Sequence, residues 1–112
     1  MPIKIHIRIA DEYFGEVLSK FLKRCEFEIV SNVHEADFVV LSTDLTAPSA
    51  YATCQELRRQ YPQLSIVILS NETTLGEDVK AQYAGASHVF AIPFAPEQLS
   101  DYIRGGEQHG EY

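Results

Sequence analysis

Phe38-Val39-Val40-Leu41 and Ser65-Ile66-Val67-Ile68-Leu69 are continuous apolar runs. Such a run suits a strand covered on both faces, the situation of a central strand in a parallel sheet. Ahead of them Ile3, Ile5, Ile7 and Ile9 alternate with Lys4, His6 and Arg8, which predicts a first strand. Glu26 to Val30 alternates again, and His88 to Ile92 reads as a further strand. The segments between have helical spacing. Behind a capping Asp11 come Phe14, Val17, Leu18, Phe21, Leu22 and Cys25, an apolar stripe along one helix face. Ala50, Cys54, Leu57 and Tyr61 line a helix from Ser49 to Tyr61, stopped by Pro62. Thr74-Leu75-Gly76-Glu77 has the capping-box pattern of a helix that ends at Gly85. Pro96 opens a last helix, which Gly105-Gly106 terminates.

Strands alternating with helices at this spacing predict a doubly wound α/β domain. It is a flavodoxin-like three-layer sandwich whose five parallel strands run in the order 2-1-3-4-5. Residues 1–104 form this domain and 105–112 a flexible tail. In such sheets ligands gather at the carboxyl ends of the strands. Those ends carry Ala10-Asp11-Glu12, Ser42-Thr43-Asp44, Ser70-Asn71 and Ile92-Pro93.

One connection is short. Only Ser31 to Ala36 separate the second strand from the third, and a parallel crossover usually takes about a dozen residues or more. The second helix is therefore shortened or missing. Right-handed crossovers would have laid that helix over the first two strands, so its loss opens their face to water. Lys4, His6 and Arg8 occupy that face, with Glu26 and Glu28 beside them. Two readings stand: a solvated charge ladder of little energetic weight, or a docking face for a partner.

The chain has 112 residues, enough for one domain with a modest core, and 46% apolar with 22% charged residues is ordinary globular composition. A formal charge of −7 and scattered Lys and Arg argue against a nucleic-acid surface. No apolar stretch approaches the length of a membrane span. The start, Met1-Pro2-Ile3-Lys4-Ile5, leads directly into a strand without a signal-peptide layout, so the cytoplasm is the expected compartment. Cys25 and Cys54 lie far apart on apolar helix faces and are expected to be buried free thiols.

Ala84-Gly85-Ala86-Ser87, followed by Phe90-Ala91-Ile92-Pro93-Phe94, and the strand Ile66-Val67-Ile68-Leu69-Ser70 now bring a family into view. In order and spacing the chain resembles the receiver domain of bacterial response regulators over nearly its whole length. The resemblance implies a phosphoacceptor Asp at the end of the third strand, where this chain has Ser42. It implies an acidic pair holding Mg²⁺ after the first strand, matched by Ala10-Asp11 with Glu12 next. It implies a Lys beside the phosphoryl group, matched by Ile92, and a Ser or Thr matched by Ser70. Of these positions only Asp11 and Ser70 keep the family's residue type. A neutral hydroxyl without a base does not replace a carboxylate nucleophile, and Ile92 cannot neutralise charge. The aromatic switch position falls on Val89, and the peptide Ile92–Pro93 is expected to be cis.

The expected function is therefore a phosphorylation-independent pseudo-receiver, a protein-interaction module in bacterial signalling rather than an enzyme. No cofactor or resident metal is expected, and no nucleic acid or membrane. Its partner is a signalling protein, with a second copy of the chain as an alternative. Other readings remain. Asp11, Glu12 and Asp44 could hold a divalent metal weakly, or Asp44 could accept a phosphoryl group, though loop carboxylates are more often simply solvated. The vacated pocket of Asp11, Glu12, Ser42, Asp44, Ser70 and Ile92 could sense a small ligand. The glycines a dinucleotide requires are absent after the first strand. His6, His34, His88 and His109 lack ligand spacing. Tyr83, Phe90 and Tyr102 are core by default, or part of a second interaction face.

Overall fold

The computed structural model describes residues 2–71 and 75–105. Five parallel strands form one sheet in the order β2-β1-β3-β4-β5: β1 Lys4–Arg8, β2 Glu28–Ile29, β3 Phe38–Ser42, β4 Ser65–Ser70 and β5 His88–Ala91. Four α-helices, α1 Glu12–Arg24, α2 Ala50–Gln60, α3 Leu75–Ala84 and α4 Pro96–Gly105, cover its faces. The sandwich and strand order expected from the sequence are those observed. The pattern behind it is two-sided burial. Val39, Leu41, Ile66 and Ile68 face α2 and α3, where Ala50, Cys54, Leu57, Ala81 and Ala84 meet them. Ile5, Val40, Val67 and Leu69 face α1 and α4, which supply Leu18, Leu22, Leu99 and Ile103. Strand residues alternate between these two cores, as the two-residue period of a strand requires.

Local chemistry sets the helix ends. Asp11 caps α1 by accepting the Phe14 N–H at 3.1 Å, and Ser49 caps α2 by accepting that of Ala52 at 3.1 Å. α3 gives way to Gly85 at φ 93°, a left-handed conformation that favours glycine. A Cβ at Gly85 would also stand 2.8 Å from Arg58 Cγ. Arg58 cannot simply move aside, because its Nε donates to the Gly85 carbonyl at 3.0 Å and its Nη1 to the Pro62 carbonyl at 2.8 Å. Gly85→Ala is therefore expected to cost about 1–2 kcal/mol, read as a shift in urea midpoint at unchanged slope. The expected cis peptide at Ile92–Pro93 is present, with a second at Ala47–Pro48.

The missing second helix is also observed. A single 3-10 turn, Val33–Glu35, links β2 to β3. Strand β2 is shorter than its alternation suggested, because the chain turns at Glu26 with φ 73°. Glu26 therefore leaves the line of Lys4, His6 and Arg8 and borders a separate hollow with Pro2, Ile3, Phe27 and Arg104. Glu28 does lie beside Lys4, as its register partner. His6 is not open to water as expected. It is 9% exposed, its ring held between Val30 and Arg8, whereas Arg8 is exposed.

Val17, read as part of the buried stripe of α1, is 46% exposed. Cys54 is a buried free thiol whose burial pushes its pKa up to about 11 against the attraction of Arg58. Cys25 is only partly covered. Thr74, the first residue of the expected capping box, and residues 106–112 of the expected tail, with His109, lie outside the described residues. Among the described residues no helix is long and apolar enough to cross a membrane.

Candidate functional site

The carboxyl ends of the parallel strands converge on one rim. Neighbouring loops are stitched there by backbone bonds, from Thr43 N to Leu69 O at 2.9 Å and from Ile92 N to Ser70 O at 2.7 Å. The Asn71 N–H donates to Thr43 Oγ1 at 3.2 Å. The rim encloses a hollow of about 300 Å³ lined by Asp11, Phe14, Ser42, Asp44, Asn71 and Ile92. Four residues singled out from the sequence, Asp11, Ser42, Asp44 and Ile92, thus meet in one place. Ser70, 1% exposed, lies beneath this rim at the end of β4. Glu12 does not join them. It follows the cap on α1 and borders a different hollow with Ile7, Ile9, Gly15 and Ser19.

Asp44 organises the site. Its Oδ1 accepts the Ala10 N–H at 3.0 Å and its Oδ2 the Asp11 N–H at 2.9 Å. The Ser42 hydroxyl donates to Oδ1 as well. Partial burial acts to raise the Asp44 pKa, but the hydrogen bonds from Ser42, Ala10, Asp11 and its own backbone N–H prevail and hold it below its ordinary value. The carboxylate thereby fastens the loop after β3 to the loop after β1. Asp11 in turn spends Oδ1 on the cap of α1.

For Mg²⁺ the rim offers the carboxylates of Asp11 and Asp44, each already engaged in hydrogen bonds. The ion prefers near-octahedral oxygen coordination with carboxylate ligands. Both oxygens of Asp44 already accept backbone N–H groups. Among the described residues no three of His, Cys, Asp and Glu cluster as a metal-binding group. Phe14 and Ile92 make one wall apolar. Phe14 was read as core from its helical spacing; its place three residues after the cap, on the first turn of α1, is the signal that brings it to the rim.

The second candidate face is divided. His88, Phe90 and Tyr102 form a ring cluster, with His88 stacked on Tyr102 at 4.7 Å and Phe90 edge-on to Tyr102 at 5.9 Å. Burial of this cluster lowers the His88 pKa and raises that of Tyr102. Tyr83, 83% exposed, stands apart on α3. Val89 points the other way, against the core beneath α2 and α3.

Solved structures give this arrangement its context. Response regulator DrrB of Thermotoga maritima superposes with a TM-score of 0.86 at 20% identity, over 98% of this chain and 54% of that one. The fold is that of a response-regulator receiver. A CheY-like receiver domain protein of Methanospirillum hungatei matches at a TM-score of 0.84 and 16% identity, over the full length of both chains. Chemotaxis protein CheY4 of Vibrio cholerae follows at 0.82 and 17%, covering 93% of this chain and 98% of its own. This chain spans about half the length of the Thermotoga regulator. No protein-family model matches the sequence, and no curated protein matches it either.

Proposed function

We propose that this chain is a phosphorylation-independent pseudo-receiver that acts as a protein-interaction module in a signalling system. The observation that carries the reading is the state of the rim. Ser42, 2% exposed, stands at the end of β3 and gives its hydroxyl hydrogen to Asp44, whose oxygens are already engaged by Ala10 and Asp11. Receiver chemistry needs an anionic nucleophile in line with phosphorus and cationic groups on the transferring oxygens. Here the residue at the end of β3 is neutral, the nearest carboxylate is a fastener, and Ile92 lines the same hollow.

Regulation by such a domain then rests on its surfaces rather than on a covalent switch. Beryllofluoride, which mimics an acyl phosphate, tests this directly. With Mg²⁺ present it is expected to leave the amide NMR spectrum of the rim unchanged. Saturable shifts at Asp11, Ser42 and Asn71 would contradict the proposal.

A second reading draws on the hollow itself. Its 300 Å³ and mixed lining would suit a small ligand with a polar head and an apolar body. A ligand from a thermal-shift screen that raises the melting temperature of the chain, with the gain lost in Ile92→Asp, would establish it.

A further inference from the structure

The short β2 leaves β1 half-paired. The β1–β2 ladder comprises Lys4↔Glu28 and Ile5↔Ile29, closed by the Val30 N–H on the Ile5 carbonyl at 2.9 Å. On its other side β1 stays paired with β3 as far as Arg8↔Leu41. From Ile7 onward, therefore, no strand among the described residues pairs with β1 on the β2 side. An unpaired strand edge is a template for another chain. Beside this edge lies a hollow of about 300 Å³, lined by Ile7 and Ile29 from the strands, by Ile9 and Ser31 just beyond them, and by Glu12 and Gly15 from α1. At Gly15 the helix comes close to the sheet, where an added Cβ would stand 3.7 Å from Ile9 Cβ, so the hollow opens beside this contact.

The opposite face of the same edge carries Arg8. His6 Nδ1 bonds the Val30 carbonyl at 2.9 Å, and Arg8 Nε donates to His6 Nε2 at 3.1 Å. The ring must therefore donate through Nδ1 and accept through Nε2. This relay ties Arg8 to the end of β2 through His6, while Arg8 itself stays exposed. Among the described residues Arg8 makes no ion pair.

We propose that this open edge docks a short extended segment of a partner protein with the pattern apolar–acidic–apolar. The proposal rests on the reading of the chain as an interaction module and names the kind of partner that it takes. A strand laid beside Ile7 to Ile9, in line with β2, completes the sheet by main-chain hydrogen bonds. Alternation sends its first and third side chains into the hollow over Ile7, Ile9 and Ile29. The middle side chain falls on the other face, beside Arg8, where a carboxylate gains a charge-assisted bond. Glu12 at the rim of the hollow disfavours the inverse pattern, which would place carboxylates beside it. Because the pattern reads the same in both directions, it serves a parallel or an antiparallel strand.

The test is an amide NMR titration of the full chain with the peptide Gly-Ser-Ile-Glu-Ile-Ser-Gly. Saturable shifts are expected at Ile7, Ile9, Gly15 and Ser31, with a Kd on the order of 1 mM. The out-of-phase peptide Gly-Ser-Glu-Ile-Glu-Ser-Gly should bind at least about tenfold more weakly, and Arg8→Glu should weaken the first peptide about fivefold or more. No saturable shift by about 10 mM peptide would overturn the proposal. Equal binding of both peptides, or shifts centred elsewhere, would overturn it too. Shifts of the same amides with protein concentration alone would replace the partner segment by a second copy of this chain. Each of these results is independent of phosphoryl uptake: failure at this edge leaves the pseudo-receiver reading standing, and covalent labelling of the rim leaves the edge standing.

Discussion

Replacing Ser42 by aspartate, the residue that the receiver family carries there, is expected to lower the unfolding free energy by about 3–5 kcal/mol at neutral pH. The position is buried, and its side chain sits against Asp44, a carboxylate held ionised by its hydrogen bonds. The new group would lose the Ser42 donor bond, face a like charge and find Ile92 where a cation would be needed. Burial and the neighbouring anion raise the pKa of the introduced carboxyl above its unfolded value. The loss is therefore largest above that folded value and shrinks as the group protonates in acid. Urea melts of Ser42→Asp at pH 7 and at about pH 5 measure both effects. Adding Ile92→Lys in the same chain should recover part of the loss. An unchanged midpoint at both pH values would show that the rim tolerates two adjacent anions.

Asp44→Ala is the second large effect, expected at about 3 kcal/mol, or a fall in melting temperature of roughly 10–20 °C. The substitution orphans the N–H groups of Ala10 and Asp11 and frees the loop after β1 from the loop after β3. Asp44→Asn keeps one acceptor oxygen and should recover part of the stability. The pH dependence follows from the lowered pKa of Asp44. Its contribution is complete above the unfolded-state value of 3.8 and is lost as pH falls through the lower folded value. The melting curves of the parent chain and Asp44→Ala should therefore converge in acid. If Asp44 were simply solvated, the two would match at every pH.

The parts of the fold legible in the sequence are those where burial leaves a pattern. Val39 to Leu41 and Ile66 to Leu69 are buried on both faces of the sheet, so an uninterrupted apolar run was the only pattern open to them. The place of the rim was legible for a topological reason: parallel strands deliver Asp11, Ser42 and Ile92 to the same edge whatever their chemistry. The missing helix was legible from length alone. What a linear pattern could not carry was the path of the chain at Glu26, a left-handed turn made without glycine, which shortened β2 and removed Glu26 from the charged face. Nor could it carry the bond from Asp44 to Ala10, which joins residues 34 apart. Loop carboxylates resemble one another in sequence, and only their partners separate a fastener from a ligand. Glu12 was grouped with Asp11 by adjacency, but one step along a helix turns a side chain by roughly 100° and sends it to another hollow.

A pseudo-receiver captures no phosphorus at the rim. Incubating the whole chain with acetyl phosphate and Mg²⁺, then weighing it intact by mass spectrometry, addresses this most directly. The predicted spectrum is that of the untreated protein. Gain of one phosphoryl group, mapped to Asp11, Ser42 or Asp44, would contradict the account.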